Sequence, residues 1–425
     1  MRLCEYVKNK NLIYPLIYCL LAVIELIAVN LISDLRPWLS TWAPKSHEIL
    51  RFTPPSDNYY GPGAALLLIP FLWNTPDYFA ANIFYTLIGA LAYYFLCQRI
   101  KNSKLKFLAL SSLLLNPYLF WLCHSSQDTV YELALLMVSL NLFLKNRFVL
   151  FTLVTFILAE TRSQYWLFLF LVLVSRIIMD LRKKQKLKIS YSLPLVLLII
   201  TSSFNLINYG SPSITWYAGE TFELGNSKFM YLAHPKFDAD HLLGLADSQG
   251  TYREGRAPTT FTPAEKNAFY FNQGIQSIKE NPKQYILNVM QKIDSYVFSS
   301  QKIPSSPGYF ILDSKANSIK ILDERLSWSL ILGNLVYQIW RALVFIVFVS
   351  ALTVLIVSFR STKKILIFKE QILLLPWVTS FIVILLFYME TRYKIIPELL
   401  LPLYSFIIFD KFRTLESDRL KLANE

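Results

Sequence analysis

Long apolar runs, each closed by a short polar or basic connection, recur along almost the whole chain. A bilayer crossing needs roughly 20 apolar residues, fewer where a helix end is covered by protein. On that measure spans fall near 12–32, 78–97, 105–122, 129–144, 148–160, 164–180, 191–208, 331–358, 371–388 and 395–409. The runs 148–160 and 164–180 could form one long helix. The basic clusters at 145–147 and 182–188 must share a side, however, which requires an even number of crossings. Two short helices turning at Glu160-Thr161-Arg162 satisfy that. The pattern predicts an all-α polytopic membrane protein of about ten transmembrane helices, with both ends on one side.

Two segments on the other side are large. Residues 33–77 are rich in Pro and Trp and hold a short apolar stretch, Ala64–Trp73, too brief to span and expected to lie along the interface or re-enter. Residues 209–330 form a soluble insert, expected to be a mixed, partly helical extracytoplasmic domain. Inside it Thr262-Pro263-Ala264-Glu265 has capping-box form with Pro at the first helical position, which predicts a helix start. Asn281-Pro282 should end that helix and open another, with Tyr285, Ile286, Val289 and Ile293 as an apolar stripe. Both helices are expected to lie against the membrane-facing half. The chain thus divides into an N-terminal membrane region (1–208, with the first outer loop at 33–77), the insert (209–330) and a C-terminal membrane region with a short cytoplasmic tail (331–425). No internal repeat is visible at any fixed spacing, which disfavours a transporter built from paired halves.

Composition sharpens this picture. The 425 residues are 54% hydrophobic with a mean hydropathy of +0.39, above the roughly 45–50% apolar content of soluble domains. The first run lacks a small-residue cleavage site and is followed by more spans, so it reads as a retained helix. The net charge of +13 is unevenly spread. The insert is neutral, with twelve basic and twelve acidic residues between Tyr209 and Leu330. The surplus lies in short connections: Arg99 to Lys106, Lys145 and Arg147, Arg182 to Lys188, and Arg360 to Lys364. That is positive-inside bias with some attraction to anionic lipid, not a nucleic-acid footprint. The four cysteines (Cys4, Cys19, Cys97, Cys123) are scattered, with neither a disulfide framework nor a metal-binding pair.

The same bias places Asp34, Asp57, Asp128, Glu160, Arg162, Glu390 and Arg392 at turns outside the cytoplasm. A charge near lipid is costly unless paired or wet, so this cluster is a candidate site. Each member also has a purely structural explanation. Asp34 could cap a short helix, Asp57 could be a solvated turn residue, and Asp128 could be the N-cap of the helix running to Leu144. Glu132, one turn on, then serves as the structural partner of Asp128. Glu160 and Arg162 are expected to pair with each other or with Arg392 and Glu390, as a lattice joining outer turns. Arg341, beside Trp340, could snorkel. His124 near the interface reads as a satisfied structural residue or a phosphate contact.

Several stretches resemble the membrane glycosyltransferases that use polyprenyl-phosphate sugars, such as the dolichyl-phosphate-mannose protein mannosyltransferases and the aminoarabinose lipid A transferase. They are Tyr60-Gly-Pro-Gly-Ala-Ala-Leu-Leu-Leu-Ile-Pro-Phe-Leu with Thr75-Pro-Asp-Tyr; Asn116-Pro117 with Ser125-Ser126-Gln127-Asp128; and Thr161-Arg162. Further on come Gly219-Glu220 to Gly225-Asn226, Ile278 to Pro282 through Lys292, and Glu390-Thr391-Arg392-Tyr393 with Pro397. The stretches follow the family's order over most of the chain, although no single motif is specific. The first loop lacks the family's adjacent Asp-Glu pair after the first span.

The resemblance implies a GT-C-like fold and an inverting transfer of a hexose or pentose from a polyprenyl-phosphate-sugar donor to a lipid, glycan or protein acceptor. Such chemistry needs a carboxylate base, cations around the departing phosphate and a greasy groove for the isoprenoid tail. The implied catalytic residues are Asp34, Asp57 and Asp128. The implied binding residues are Arg162, Glu160, Glu390, Arg392, Tyr393, Arg341 and His124. Arg392, at a short turn before Pro397, is the leading phosphate ligand because a guanidinium fork grips two oxygens. Membrane lipids are expected partners, and a divalent metal is compatible although no ligand cluster is visible. Competing readings are a polysaccharide polymerase or ligase of the envelope and a lipid or sugar flippase. The outer segments hold no Asn-x-Ser/Thr acceptor, which fits a bacterial inner membrane.

Opposite sidedness of the insert and the basic loops is directly measurable. In a cysteine-free background, cysteines at Ser248 and Lys184 should label oppositely with an impermeant thiol reagent in intact cells, Ser248 alone reacting from outside. Labelling of both, or the reverse pattern, overturns the topology.

Overall fold

The computed structural model of the protein describes residues 13–32, 39–55, 61–72, 78–116, 128–182, 184–215, 218–227, 257–297, 310–313, 318–321, 328–362, 369–387 and 391–424. Helices dominate. In the first half they are α1 (Ile13–Ile32), α2 (Leu39–Leu50), α3 (Gly63–Leu68), α4 (Tyr78–Cys97), α5 (Ser103–Leu114), α6 (Thr129–Leu144), α7 (Phe148–Thr161), α8 (Gln164–Arg182) and α9 (Leu193–Tyr209). The insert contributes α10 (Ala218–Asn226), α11 (Pro263–Glu280), α12 (Pro282–Val297) and an antiparallel hairpin, β1 (Phe310–Asp313) with β2 (Ser318–Ile321). The chain closes with α13 (Trp328–Thr362), α14 (Leu375–Leu386) and α15 (Thr391–Asn424).

Among the described residues, four helical stretches are long and apolar enough to cross a membrane: Ala80–Cys97, Gln164–Arg182, Ile189–Tyr209 and Leu335–Val357. Much of their surface is outward-facing hydrocarbon, including Ile199, Ile207, Leu343 and Ile346. Exposed apolar side chains on that scale need a nonaqueous surround. This is a helical membrane protein.

The centre is built on α4 and α6, which pack along their length. Small residues permit the approach: Ala81, Ala90 and Ala134 are buried, and a Cβ on Gly89 would meet the Leu133 side chain at 2.8 Å. Without a hydrophobic drive between helices in lipid, such close packing is what holds them together. Around this pair lie α1, α7 and α15, and α13 packs on α15. The stretch around Ala64 becomes a helix one and a half turns long, continued by a 3₁₀ turn, Ile69–Phe71, with Ala64, Ala65 and Leu68 buried.

The two ends of the bundle differ in chemistry. At the Leu144 end of α6, Arg99 donates to the Leu144 carbonyl at 3.1 Å and pairs with Glu370 at 3.4 Å. Lys411 pairs with the same Glu370 at 2.5 Å. Asp410 accepts from the Lys101 and Asn102 backbone N–H groups at 2.8 and 2.9 Å, so the last helix holds the start of α5. Arg99, Lys101 and Lys411 therefore gather at one end. The opposite end, beside Thr129, carries the candidate site.

Two expectations are corrected here. The last helix begins at Thr391 rather than near residue 395, and Pro397 and Pro402 lie inside it rather than at its start. Arg392 therefore occupies a first helical turn instead of a loop. In the insert, the capping box at Thr262 and Glu265 and the break at Asn281-Pro282 form as the sequence indicates. The face that α12 buries is polar, however: Asn288, Lys292, Ser295 and Tyr296, whereas Ile286 and Met290 are exposed.

The reason is a reciprocal capping of helix ends. A helix leaves its last four carbonyls without intrahelical donors. Those of α14 receive Lys292 Nζ at Leu385 (3.1 Å) and Asn226 Nδ2 at Leu386 (2.9 Å). Those of α12 receive Lys394 Nζ at Ser295 (2.6 Å) and Arg341 NH2 at Tyr296 (2.7 Å) and Val297 (3.0 Å). Cations at helix C-termini also complement the macrodipole. Polar side chains must therefore face inward on α12, which leaves Ile286 exposed and Tyr285, Val289 and Ile293 half-buried.

Burial pulls the Lys292 ammonium down from 10.5 to about 7. With a folded value below the unfolded one, the unfolded chain binds the extra proton between about pH 7 and 10.5, so stability rises with pH across that window and is flat below it. The melting temperature of the detergent-purified protein should therefore increase from pH 7 to pH 9.5, and Lys292→Met should remove that increment. An unchanged pH profile in the variant would exclude Lys292 as its source.

Candidate functional site

The site end is organised by one extended residue. α7 stops at Thr161, Arg162 adopts φ −140° and ψ 108°, and α8 starts at Gln164. This break swings the Arg162 side chain toward the start of α6. Its Nε donates to Asp128 Oδ2 at 3.2 Å and its NH2 to Asp128 Oδ1 at 2.7 Å. NH2 also reaches Thr129 Oγ1 at 3.1 Å, and NH1 lies 3.1 Å from Glu132 Oε2. The Tyr165 hydroxyl donates to the other Glu132 oxygen. One planar guanidinium thus engages two carboxylates a helical turn apart, a geometry that only its fork can supply.

These contacts correct two expectations. Arg162 pairs with Asp128 and Glu132, not with Glu160. Asp128 stands at the N-cap position of α6, but its side chain makes no capping bond and faces Arg162 instead. The carboxylate wins that competition because a charge-assisted fork is roughly twice as strong as a neutral hydrogen bond. Within this junction the Arg162 side chain is 4% exposed and that of Glu132 0%, whereas that of Asp128 keeps 19%. Asp128 is the member of the junction that stays partly exposed.

Glu160, two residues back on α7, is buried and accepts from Thr201 Oγ1 of α9 at 3.3 Å. It lines a groove of about 230 Å³ whose described walls come from Pro55, Pro62, α3, α7 and α9, among them Leu66, Phe156, Ile200 and Phe204. Tyr209 closes one side by donating to the Pro55 carbonyl at 2.7 Å.

The Gly61-Pro62-Gly63 element packs on this same turn. A Cβ on Gly61 would stand 2.2 Å from the Glu160 carbonyl oxygen, and one on Gly63 would stand 2.5 Å from Thr161 N and Oγ1. No side chain fits there, which is why this short element needs glycine at both positions. Three segments far apart in sequence, at 61–63, 128–132 and 160–162, therefore meet.

Arg341 behaves otherwise than a snorkelling or phosphate-facing residue. It is 2% exposed, pairs with Glu398 at 3.1 Å and caps α12, while the Tyr337 hydroxyl donates to Glu398 at 2.9 Å. Its donors hold the insert to the membrane helices. Glu398, also buried, was not singled out from the sequence. A carboxylate inside the apolar run after Pro397 is the signal that marks Glu398.

Asp34, Asp57, His124 and Glu390 lie outside the described residues, as do the side chains of Arg392 and Tyr393. Among the described residues, no three His, Cys, Asp or Glu side chains group closely enough to hold a metal ion.

Removing Arg162 leaves two carboxylates, one fully buried, without their cation. Breaking a buried pair from one side costs about 3–5 kcal/mol. Arg162→Ala should therefore lower the melting temperature sharply, and Glu132→Gln in that background should recover part of the loss. Additive losses in the double variant would refute coupling through this junction.

Comparison with protein-family models, with curated proteins and with solved structures finds no match to this chain.

Proposed function

We propose that the protein is an inverting glycosyltransferase of the GT-C type, moving a sugar from a polyprenyl-phosphate donor to a lipid, glycan or protein acceptor. In this reading about ten helices cross the membrane, the basic end faces the cytoplasm, and the site end with its insert faces the periplasm of a bacterial inner membrane. The observation that carries the proposal is the meeting of three segments on which the family resemblance rests. Gly61-Pro62-Gly63 packs on Glu160-Thr161, and Arg162 grips Asp128. A likeness spread along a sequence by chance has no reason to converge in space.

The chemistry divides among these parts. A carboxylate of the first loop, Asp34 or Asp57, takes the proton of the attacking acceptor hydroxyl, a contribution worth about 10²–10⁴-fold. Asp128, held by Arg162 and still partly exposed, orients the donor sugar or acceptor. Arg162 and Glu160 are positioning residues: one fixes Asp128, the other borders an apolar groove. The phosphate is held at the start of α15. That position joins two anion-favouring features, a helix N-terminus and an arginine, Arg392, in its first turn. Tyr393 and Glu390 are its neighbours in sequence. Lys394 and Arg341 keep α12 docked beside this helix end and so hold the phosphate position in place.

Arg392 and Asp34 separate this reading from a structural one. Arg392→Ala should weaken donor binding by roughly ten- to more than a hundredfold, the value of about 1.5–3 kcal/mol for a charged hydrogen-bonded contact. Arg392→Lys should fall between, keeping charge without the fork. Asp34→Asn should abolish turnover while donor binding and melting temperature stay near wild type. Donor affinity unchanged in Arg392→Ala, alongside a lowered melting temperature, removes Arg392 from the site. Full activity in both Asp34→Asn and Asp57→Asn removes base catalysis by the first loop.

A further inference from the structure

The groove between α3, α7 and α9 has a composition that selects its ligand. Its walls are largely aliphatic and aromatic, and among the described residues Glu160 is the only charged group that lines it. Two lining residues on α9, Ile200 and Phe204, are 56% and 42% exposed, so the groove opens sideways among side chains that face hydrocarbon. Its volume of about 230 Å³ lies below the roughly 300–1,000 Å³ of pockets for drug-sized molecules. One chain fits, not two.

Glu160 decides what the chain can carry. Its side chain belongs to a residue only 4% exposed, and among the described residues no Lys, Arg or His lines the groove to offset an anion. A phosphate or carboxylate head would face a carboxyl group in a low-dielectric recess, with repulsion that water cannot screen. An ammonium would be attracted but would give up much of its hydration. A hydroxyl costs least to desolvate, and it both donates to and accepts from a carboxyl group. The other polar liners are already engaged: Tyr209 donates to the Pro55 carbonyl, and Asn205 Nδ2 donates to the Ser213 carbonyl at 2.9 Å.

We infer that this groove is a binding site for a single-chain, uncharged lipid alcohol, whose hydroxyl meets Glu160 and whose chain lies along Leu66, Phe156 and Ile200. Charge complementarity argues for this occupant over an anionic lipid, and the lateral opening gives it a route from the bilayer. The inference does not depend on the transferase reading, since it concerns binding alone.

The full-length protein in nanodiscs of zwitterionic lipid can be probed with a twelve-carbon alcohol bearing a chain diazirine, the labelled peptides being mapped by mass spectrometry. Labelling is expected on 55–66, 156–160 and 200–209. Unlabelled dodecanol should compete about tenfold better than dodecyl phosphate or dodecylamine, the scale of one net hydrogen bond. Glu160→Ala should erase that preference. Ile200→Trp, which fills the groove from its lipid-exposed wall without touching the ion junction, should abolish the labelling at an unchanged melting temperature. Equal or better competition by the phosphate or the amine, or labelling that persists in Ile200→Trp, overturns the proposal. Sugar transfer is not read in this assay, so failure of the transferase reading and failure of the alcohol site remain distinguishable.

Discussion

A helix that ends away from bulk water must find donors for its last carbonyls, and this requirement shapes the joint between the insert and the membrane helices. Both α12 and α14 stop against other helices, and each has its terminal carbonyls taken by side chains from beyond its own chain segment. Lys292, Lys394 and Arg341 are buried because the carbonyls they serve are buried. Glu398 then balances Arg341. Hydrophobic contact alone would let the insert slide over the bundle. Directional bonds to carbonyls at both helix ends set its register.

The same logic operates at the start of α6 with carboxylates in place of carbonyls. Arg162 sits where α7 breaks, and the break exists because the chain must turn back at the end of a helix of 14 residues. Extended backbone at that position directs the guanidinium across to α6 instead of along its own helix. Two carboxylates and a threonine hydroxyl converge on it, and glycine at 61 and 63 lets the first outer segment close over the turn. In the proposed transferase, a guanidinium shared in this way would hold the polar groups of the site within fractions of an ångström.

Apolar and polar demands are kept apart within the site end. The groove at Glu160 meets hydrocarbon on one side, whereas the Asp128–Arg162 junction has only a partly exposed carboxylate at its rim. The segment Glu160-Thr161-Arg162 reaches both environments with residues two apart, one lining the groove and the other holding the junction.

Apolar run length and basic connections by themselves determined where several of the helices lie, because neither depends on neighbours; the run at 105–122 is an exception, its helix ending at Leu114. The boundaries at Tyr78, Cys97, Thr129, Leu144 and Phe148 coincide with the ends of apolar runs. Local chemistry also sufficed for the capping box at Thr262 and for the helix break at Arg162, where the turn had to restore the even number of crossings. Pairing was different. The choice of Asp128 and Glu132 over Glu160 as partners of Arg162 depended on the backbone direction at the break, which spacing does not encode. The continuous helix through Pro397 arose because α15 is packed on α13, α14 and α5 along its length, and that packing offsets the lost hydrogen bond. The inward polar face of α12 was hidden for the same reason. An apolar stripe indicates which face avoids water, and only the packed bundle revealed that the opposite face had carbonyls to satisfy.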